Sequence, residues 1–192
     1  MSKHNEDFTD CFEKELKGTK TEKNLKEAFC GESQARNKYM FFAKQAQKDG
    51  YEHIAKIFEE TALNEAEHGK IWYKILNGGK IPKTIDNLNS AAGTESYEWQ
   101  DMYARFAKEA KEEGFEKISN LFECIRKIEK MHMERYQKLV EEIKENTIFS
   151  KEKIVTWECA KCGFNCENEE APEQCPFCKH PKAYFFKKCI DV

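Results

Sequence analysis

Between Thr21 and Asn146 the apolar side chains recur every three or four residues. Leu25, Ala28, Ala35, Tyr39, Phe42 and Ala46 form one such series, and Ile54, Ile57, Phe58, Thr61, Ile71 and Ile75 the next. Met102, Phe106 and Ala110 begin a third, and Ile118, Leu121, Phe122, Ile125, Tyr136, Leu139 and Ile143 make the fourth. Each series falls on one stripe of an α-helix, which predicts four amphipathic helices, each with one face toward a core. The same stretch is rich in Ala, Glu, Lys and Leu, and its one proline, Pro82, falls in a connector. Thr19, followed three residues on by Glu22, predicts a capping box for the first helix.

The four helices are two copies of one unit. FFAKQAQKDGYEHIAKIFEE from Phe41 matches RFAKEAKEEGFEKISNLFEC from Arg105 at an offset of 64, so that Phe42 meets Phe106, Gly50 meets Gly114 and Phe58 meets Phe122. The two glycines are the expected turns, since glycine takes the positive φ that ends a helix. Between the copies, Asn77 to Gly93 reads as an extended connector able to cross about 50 Å, against about 42 Å for a helix of this length. A mainly α fold is therefore expected: a four-helix bundle with one long crossover. After Asn146 the helical periodicity stops, and from Glu158 onward turns, cysteines and three of the four prolines take over. The reading is an N-terminal extension at 1–17, a bundle at 18–146, a linker at 147–155 and a small metal-dependent domain at 156–192. A domain of that size cannot hold a core without a metal or disulfides. In the extension, Phe8, Cys11, Phe12 and Leu16 suggest a short amphipathic helix.

Charge and composition narrow the functional classes. There are 32 Lys plus Arg against 35 Asp plus Glu, a net charge of -3, which argues against a nucleic-acid partner. The mean hydropathy is -0.84 and no apolar run reaches the length of a membrane span. The opening MSKHNEDFTDCFEKE lacks a secretory pattern, so the cytoplasm is expected. There, nine cysteines point to metal ligation or free thiols rather than disulfides. Cys11, Cys30, Cys124 and Cys189 stand alone, whereas Cys159, Cys162, Cys166, Cys175 and Cys178 crowd together.

Cys159-x-x-Cys162 and Cys175-Pro-Phe-Cys178 are two knuckles separated by twelve residues. Together they offer four thiolates to one tetrahedral ion, zinc or iron, and spacing does not choose between these. Gly163 lets the backbone turn its N–H groups toward sulfur. Cys166 is read as a free thiol, and His180 as an exposed turn residue rather than a ligand.

The bundle also carries carboxylates on its inward stripes. Glu32 shares the stripe of Leu25, Ala28, Ala35 and Tyr39; Glu65 and His68 share that of Thr61 and Trp72; Glu129 and His132 share that of Ile125 and Tyr136. Both pairs read Glu-x-x-His, two ligand-capable side chains stacked on one helix face, and they recur at the repeat offset. Glu32 and Glu65 stand 18 and 15 residues from Gly50, roughly 22 to 27 Å, and therefore at one level. Glu95 and Glu98 precede Gly114 by 19 and 16 residues and Glu129 follows it by 15, which defines a second level. Buried carboxylates need a counter-charge, and carboxylate with imidazole suits two Fe or Mn ions in the manner of a ferritin-like bundle. His4 and His53 lie off these stripes and are read as solvated. Tyr39 maps to Tyr103 at offset 64 while Glu32 falls one residue past Glu95, so a single-residue insertion, a π-bulge, is expected between Glu95 and Tyr103.

GESQARNKY, ETALNEAEH, Glu95-x-x-Glu98, IEKMH and a C-terminal WECAKCGF with CPFCKHPKAYF together resemble the rubrerythrins, from about Gly18 to Tyr184. The resemblance implies a ferritin-like di-iron bundle followed by a rubredoxin-like domain. It implies Glu32, Glu65, Glu95, Glu98, Glu129 and His132 as di-iron ligands, with Glu65 and Glu129 bridging. One iron then exchanges Glu98 in the oxidised state for His68 in the reduced state, and Tyr39 and Tyr103 donate hydrogen bonds to ligand carboxylates. Cys159, Cys162, Cys175 and Cys178 hold a rubredoxin-type iron, with zinc as a possible substitute. The implied activity is NADH-linked reduction of hydrogen peroxide to water in defence against oxidative stress. Its electrons come from a separate donor, a rubredoxin or an NADH-dependent reductase, because the chain lacks a G-x-G-x-x-G dinucleotide motif. A homodimer or higher homo-oligomer is implied as well. Two other readings are a ferritin-type ferroxidase or iron store, and a non-enzymatic adaptor with a structural zinc ribbon.

Overall fold

The computed structural model describes residues 8, 9 and 15–188. His4, Cys11, Phe12 and Cys189, and with them the helix expected in the extension, lie outside the described residues. The chain forms two compact units that divide between Pro82 and Lys83.

The first unit is a helical hairpin of α1 (Lys20–Lys48) and α2 (Glu52–Leu76). Thr19 caps α1 by accepting the Glu22 N–H at 3.0 Å, and Glu22 reaches back to the Gly18 N–H at 2.6 Å, one residue earlier than a capping box requires. The hairpin turns at Gly50, φ 83°, where the Tyr51 N–H closes on the Ala46 carbonyl at 2.8 Å. This is the wide ring of a Schellman ending, which needs a left-handed residue at the glycine. Ala43, Ala46 and Ala55 are buried beside the turn with Phe58 packed on them, so small side chains let the two backbones approach closely.

The second unit begins with another hairpin. It contains α3 (Thr84–Tyr97), a π-helical turn over Glu98–Met102, α4 (Tyr103–Glu112) and α5 (Glu116–Lys144). Its turn repeats the first: Gly114 has φ 84° and the Phe115 N–H bonds the Ala110 carbonyl at 2.8 Å. Ala107, Ala110 and Ser119 stand where Ala43, Ala46 and Ala55 stand in the first copy. The Ser119 hydroxyl donates to the Ala107 carbonyl at 2.7 Å and ties α5 to α4.

Three features differ from the sequence reading. Helix α3 starts at Thr84, so the connector is Asn77 to Lys83, with a reach of about 23 Å, rather than Asn77 to Gly93. Asn, Ser and Gly made this stretch read as loop. However, Ile85, Leu88 and Ala92 recur at helical spacing on its less exposed side, and Asn89 and Thr94 bond back to the Ile85 and Ser90 carbonyls. Second, Ile54 and Ile57 of α2 and Ile118 and Leu121 of α5 are exposed rather than buried. Within each hairpin a stripe of small residues and a few aromatic rings close against the neighbouring helix, and these aliphatic side chains lie outside it. Third, Ser150 to Val155, assigned to a linker, already belong to a strand.

That strand, β1 (Ser150–Cys159), is the centre of an antiparallel sheet with β2 (Asn165–Glu170) and β3 (Phe185–Lys187) in the order β2-β1-β3. Trp157 faces Cys166 on one side and Lys187 on the other, and its indole N–H bonds the Asn168 carbonyl at 3.1 Å. It is fully buried with Cys159, Ala171, Cys175 and Phe185. Two of these five core residues are thiols, so this small domain is built around its cysteines. Among the described residues, no helix is long and apolar enough to cross a membrane.

Gly114→Ala is expected to destabilise the second hairpin by about 1–2 kcal/mol, because the left-handed conformation costs this much with a Cβ present. Urea unfolding followed by helical circular dichroism measures it, and an unchanged midpoint would contradict the turn assignment.

Candidate metal centres

Each hairpin brings one carboxylate from its first helix against a Glu-x-x-His pair on its second. In the first hairpin, His68 Nδ1 lies 2.9 Å from Glu65 Oε2 and 4.0 Å from Glu32 Oε1. In the second, His132 Nδ1 lies 2.7 Å from Glu129 Oε2 and 3.8 Å from Glu95 Oε2. The two copies therefore agree in geometry to within 0.2 Å, although Glu95 stands one residue short of the offset of 64 from Glu32. In both groups the candidate ligand atoms lie within 4.8 Å of one another, close enough to share one ion. The carboxylates are largely covered and the imidazoles more open: the Glu129 side chain is 13 % exposed and that of His68 53 %.

The second group is the more strained electrostatically. Burial, then the hydrogen bond and negative charge of Glu129 and the charge of Glu98, push the Glu95 carboxyl up, with His132 opposing. Burial and the charges of Glu98, Glu129 and Glu95 likewise raise the Tyr103 hydroxyl. A carboxyl whose ionisation is opposed by burial and then by neighbouring carboxylates is a donor that a divalent or trivalent cation relieves, so these residues fit the metal the sequence implies.

The expected insertion is present. Glu98–Met102 forms the π turn, closed by the Tyr103 N–H on the Glu98 carbonyl, and Glu98 is its first residue. Glu98 is not part of the close ligand group, but its charge acts on both Glu95 and Tyr103. The ring of Tyr103 packs against Phe106 and Phe122 at 6.1 and 6.0 Å, and that of Tyr39 against Phe42 and Phe58, both at 6.2 Å.

The four-thiolate site is assembled from two turns of the same design. The Gly163 N–H bonds the Cys159 carbonyl at 2.8 Å, and the Lys179 N–H bonds the Cys175 carbonyl at 3.0 Å. Each residue that follows a knuckle has a positive φ, 74° at Gly163 and 62° at Lys179. The Sγ atoms of Cys159 and Cys178, and of Cys162 and Cys175, are 3.7 Å apart. Burial opposes ionisation of Cys175, but the N–H groups of Cys178 and Phe177 and the thiols of Cys178 and Cys162 bring it down to about 7. At Cys162 the Phe164 N–H lowers the thiol, yet burial and the other three cysteines push it up to about 12. Four thiols competing for protons within 4.8 Å of one another fit one thiophilic cation.

A family model described as rubrerythrin matches residues 23–140, more than half of the chain. The chain belongs to the rubrerythrin family. A second model, the rubredoxin-like domain of rubrerythrin, matches residues 157–186. Rubrerythrin-1 of Clostridium acetobutylicum is 46 % identical over 187 residues, covering 90 % of this chain and 96 % of that protein. The rubrerythrin of Nitratidesulfovibrio vulgaris is 44 % identical over 183 residues, with the same coverage. A solved structure of nigerythrin in a mixed-valence state aligns over 92 % of this chain and 90 % of its own at 33 % identity, with a TM-score of 0.34.

The chain thus carries a carboxylate and histidine di-iron candidate and a four-cysteine rubredoxin-like site, as rubrerythrins do. Cys166 stands outside the four-cysteine group as a free thiol. His180 is half-buried rather than exposed: its Nδ1 lies 3.2 Å from the Cys178 carbonyl and its ring 4.7 Å from Tyr184. His53 is exposed, as expected. Arg126, which bonds the π turn through the Trp99 carbonyl at 2.9 Å, was missed. Setting the repeats side by side would have flagged it, because it stands opposite Ala62.

Two outcomes follow. The folded chain holds the Glu95 proton more tightly than the unfolded chain, so this group's contribution to metal-free stability is complete below its ordinary 4.5 and is lost as pH rises. Glu95→Gln should flatten that fall in urea melts run from about pH 4 to 7; an unaltered slope would contradict it. Cys175→Ser, which removes a ligand and a core group together, should open Ser150–Lys187 to trypsin while Lys20–Leu76 stays resistant.

Proposed function

We propose that this chain is a non-haem di-iron peroxidase that reduces hydrogen peroxide to water in oxidative-stress defence. One observation carries the reading: two carboxylate and imidazole groups of matching geometry accompany a four-thiolate site in the same polypeptide. When bound, two ferrous ions supply two electrons at once to peroxide, which with two protons gives two waters, and a thiolate-ligated iron supplies single electrons.

In this reading Glu32, Glu65, His68, Glu95, Glu98, Glu129 and His132 are the di-iron ligands. Glu98 ligates in the oxidised state, where its negative charge matches the higher cation charge, and His68 ligates in the reduced state. The placement of Glu98 on a π turn supports such an exchange, because a wide turn leaves its carboxylate off the close Glu95, Glu129 and His132 group. Tyr103, whose hydroxyl feels the charges of Glu98, Glu129 and Glu95, donates to one of them, and Tyr39 plays the same part in the first copy. Cys159, Cys162, Cys175 and Cys178 hold the relay iron, with their core positions fixing it in a rigid frame. A rubredoxin or an NADH-dependent reductase in the cytoplasm is the electron donor. Assembly as a homodimer is supported by the aliphatic side chains each hairpin leaves exposed.

Metal analysis with a visible spectrum tests the reading. Three irons per chain are expected, with a thiolate-to-ferric colour bleached by reductant and restored by peroxide. A colourless zinc protein without peroxide turnover would reject it, and iron oxidation without reductant-dependent peroxide turnover would favour a ferroxidase. Glu98→Ala should lower peroxide turnover on the order of ten-fold or more while leaving the four-thiolate spectrum intact.

A further inference from the structure

The two hairpins differ at the π turn, and opposite it α5 departs from α2. Arg126 and Lys130 on α5 correspond to Ala62 and Ala66 on α2. Ala62 is fully buried, a small residue closing against α1. Arg126 instead extends to the π turn, where its Nε donates to the Trp99 carbonyl at 2.9 Å. Its guanidinium is braced on the other side by both carboxylate oxygens of Glu123, at 3.3 and 3.4 Å from Nη1. One turn further along α5, Lys130 Nζ sits 5.3 Å from the centre of the Trp99 ring. Trp99 is thus held by its backbone and its ring, and both grips come from the helix that carries Glu129 and His132.

The π turn has something to resist. It stores one residue more than the first copy has between Glu95 and Tyr103, and each residue of an α-helix turns the chain by about 100°. Rewinding the segment as α-helix would swing either Glu95 away from Glu129 and His132, or Tyr103 and the rest of α4 away from Phe122 of α5. Along α5, Arg126 lies between Phe122, which holds one end of the segment, and Glu129, which holds the other.

We propose that Arg126, braced by Glu123 and seconded by Lys130, is a positioning residue that keeps the Glu98–Met102 π turn wound and so sets the direction of the Glu98 carboxylate. The role of Glu98 as a ligand rests on the function proposed above, whereas the clamp on the turn does not. The charged guanidinium is suited to this because its planar donors satisfy a carbonyl and a carboxylate at once.

Amide hydrogen exchange on the full metal-free chain reads the clamp directly. Arg126→Ala, which installs the residue the first copy uses, should speed exchange at residues 99–103 by about ten-fold or more, with Glu52–Leu76 unchanged. In the iron-loaded chain its ferric spectrum should shift in the same sense as that of Glu98→Gln, while the all-ferrous spectrum stays as in the parent. Glu123→Gln, which loosens the brace without touching the turn, should give the same changes in smaller measure and serves if Arg126→Ala does not fold. Unchanged exchange at 99–103 in the folded variant would overturn the proposal. So would a uniform rise across α3, α4 and α5, which would make Arg126 a general packing residue. The exchange measurement needs no turnover, so a parent chain inactive toward peroxide would count against the functional reading alone.

Discussion

Two carboxylates held within about 4 Å of one imidazole on neighbouring helices repel each other by a few kcal/mol at the effective dielectric of a partly covered site. Each hairpin must hold its helices together against that repulsion. It does so away from the ligands, at the turn, where Ala43, Ala46 and Ala55 in one copy and Ala107, Ala110 and Ser119 in the other let the backbones close. The ligands then sit on stiff helices whose spacing was fixed elsewhere, and in the second copy burial, followed by the hydrogen bond and charge of Glu129, raises the Glu95 carboxyl. Arranged in this way, the repulsion is what makes each group receptive to a cation.

Duplication provides two such groups, and a single extra residue makes them unequal. The first copy runs as uninterrupted α-helix through Glu32 and Tyr39, while the second winds its extra residue into Glu98–Met102. A bulge of this kind keeps both flanking faces in register and presents one further carboxylate. The inequality extends to the facing helix, where Arg126 and Lys130 replace alanines and grip Trp99. Chemistry that needs two metal positions to behave differently finds that difference in the fold itself.

The small β domain solves another problem. Its sheet is short, and its buried core is Trp157, Ala171 and Phe185 with two cysteines, so the residues that bind metal also fill the interior. The two knuckles repeat one hydrogen-bonding plan around a positive-φ residue, which directs amide N–H groups at sulfur and lowers the Cys175 thiol to about 7. Metal binding and folding are coupled here because the same side chains serve both.

Much of this was legible in the chain. The three-and-four spacing marked α1, α2, α4 and α5, the offset of 64 marked the duplication, and the paired Glu-x-x-His and C-x2-C motifs marked the ligand groups. The failure of Glu95 to keep the offset marked the π turn. These features are local, set by helix period and by spacing along one segment, so sequence determines them. The start of α3 at Thr84 was hidden by residues of weak helix propensity whose side chains satisfy themselves within the helix. The strand over Ser150 to Val155 was hidden because its pairing partners lie beyond it in the chain. Arg126 stood out in the chain only as a departure from Ala62 at the repeat offset, and its contact became visible when the fold put the Trp99 carbonyl within its reach. What tertiary structure alone decided was therefore which side chains meet across elements, because those distances depend on how closely two helices or strands pack and not on the spacing within either one.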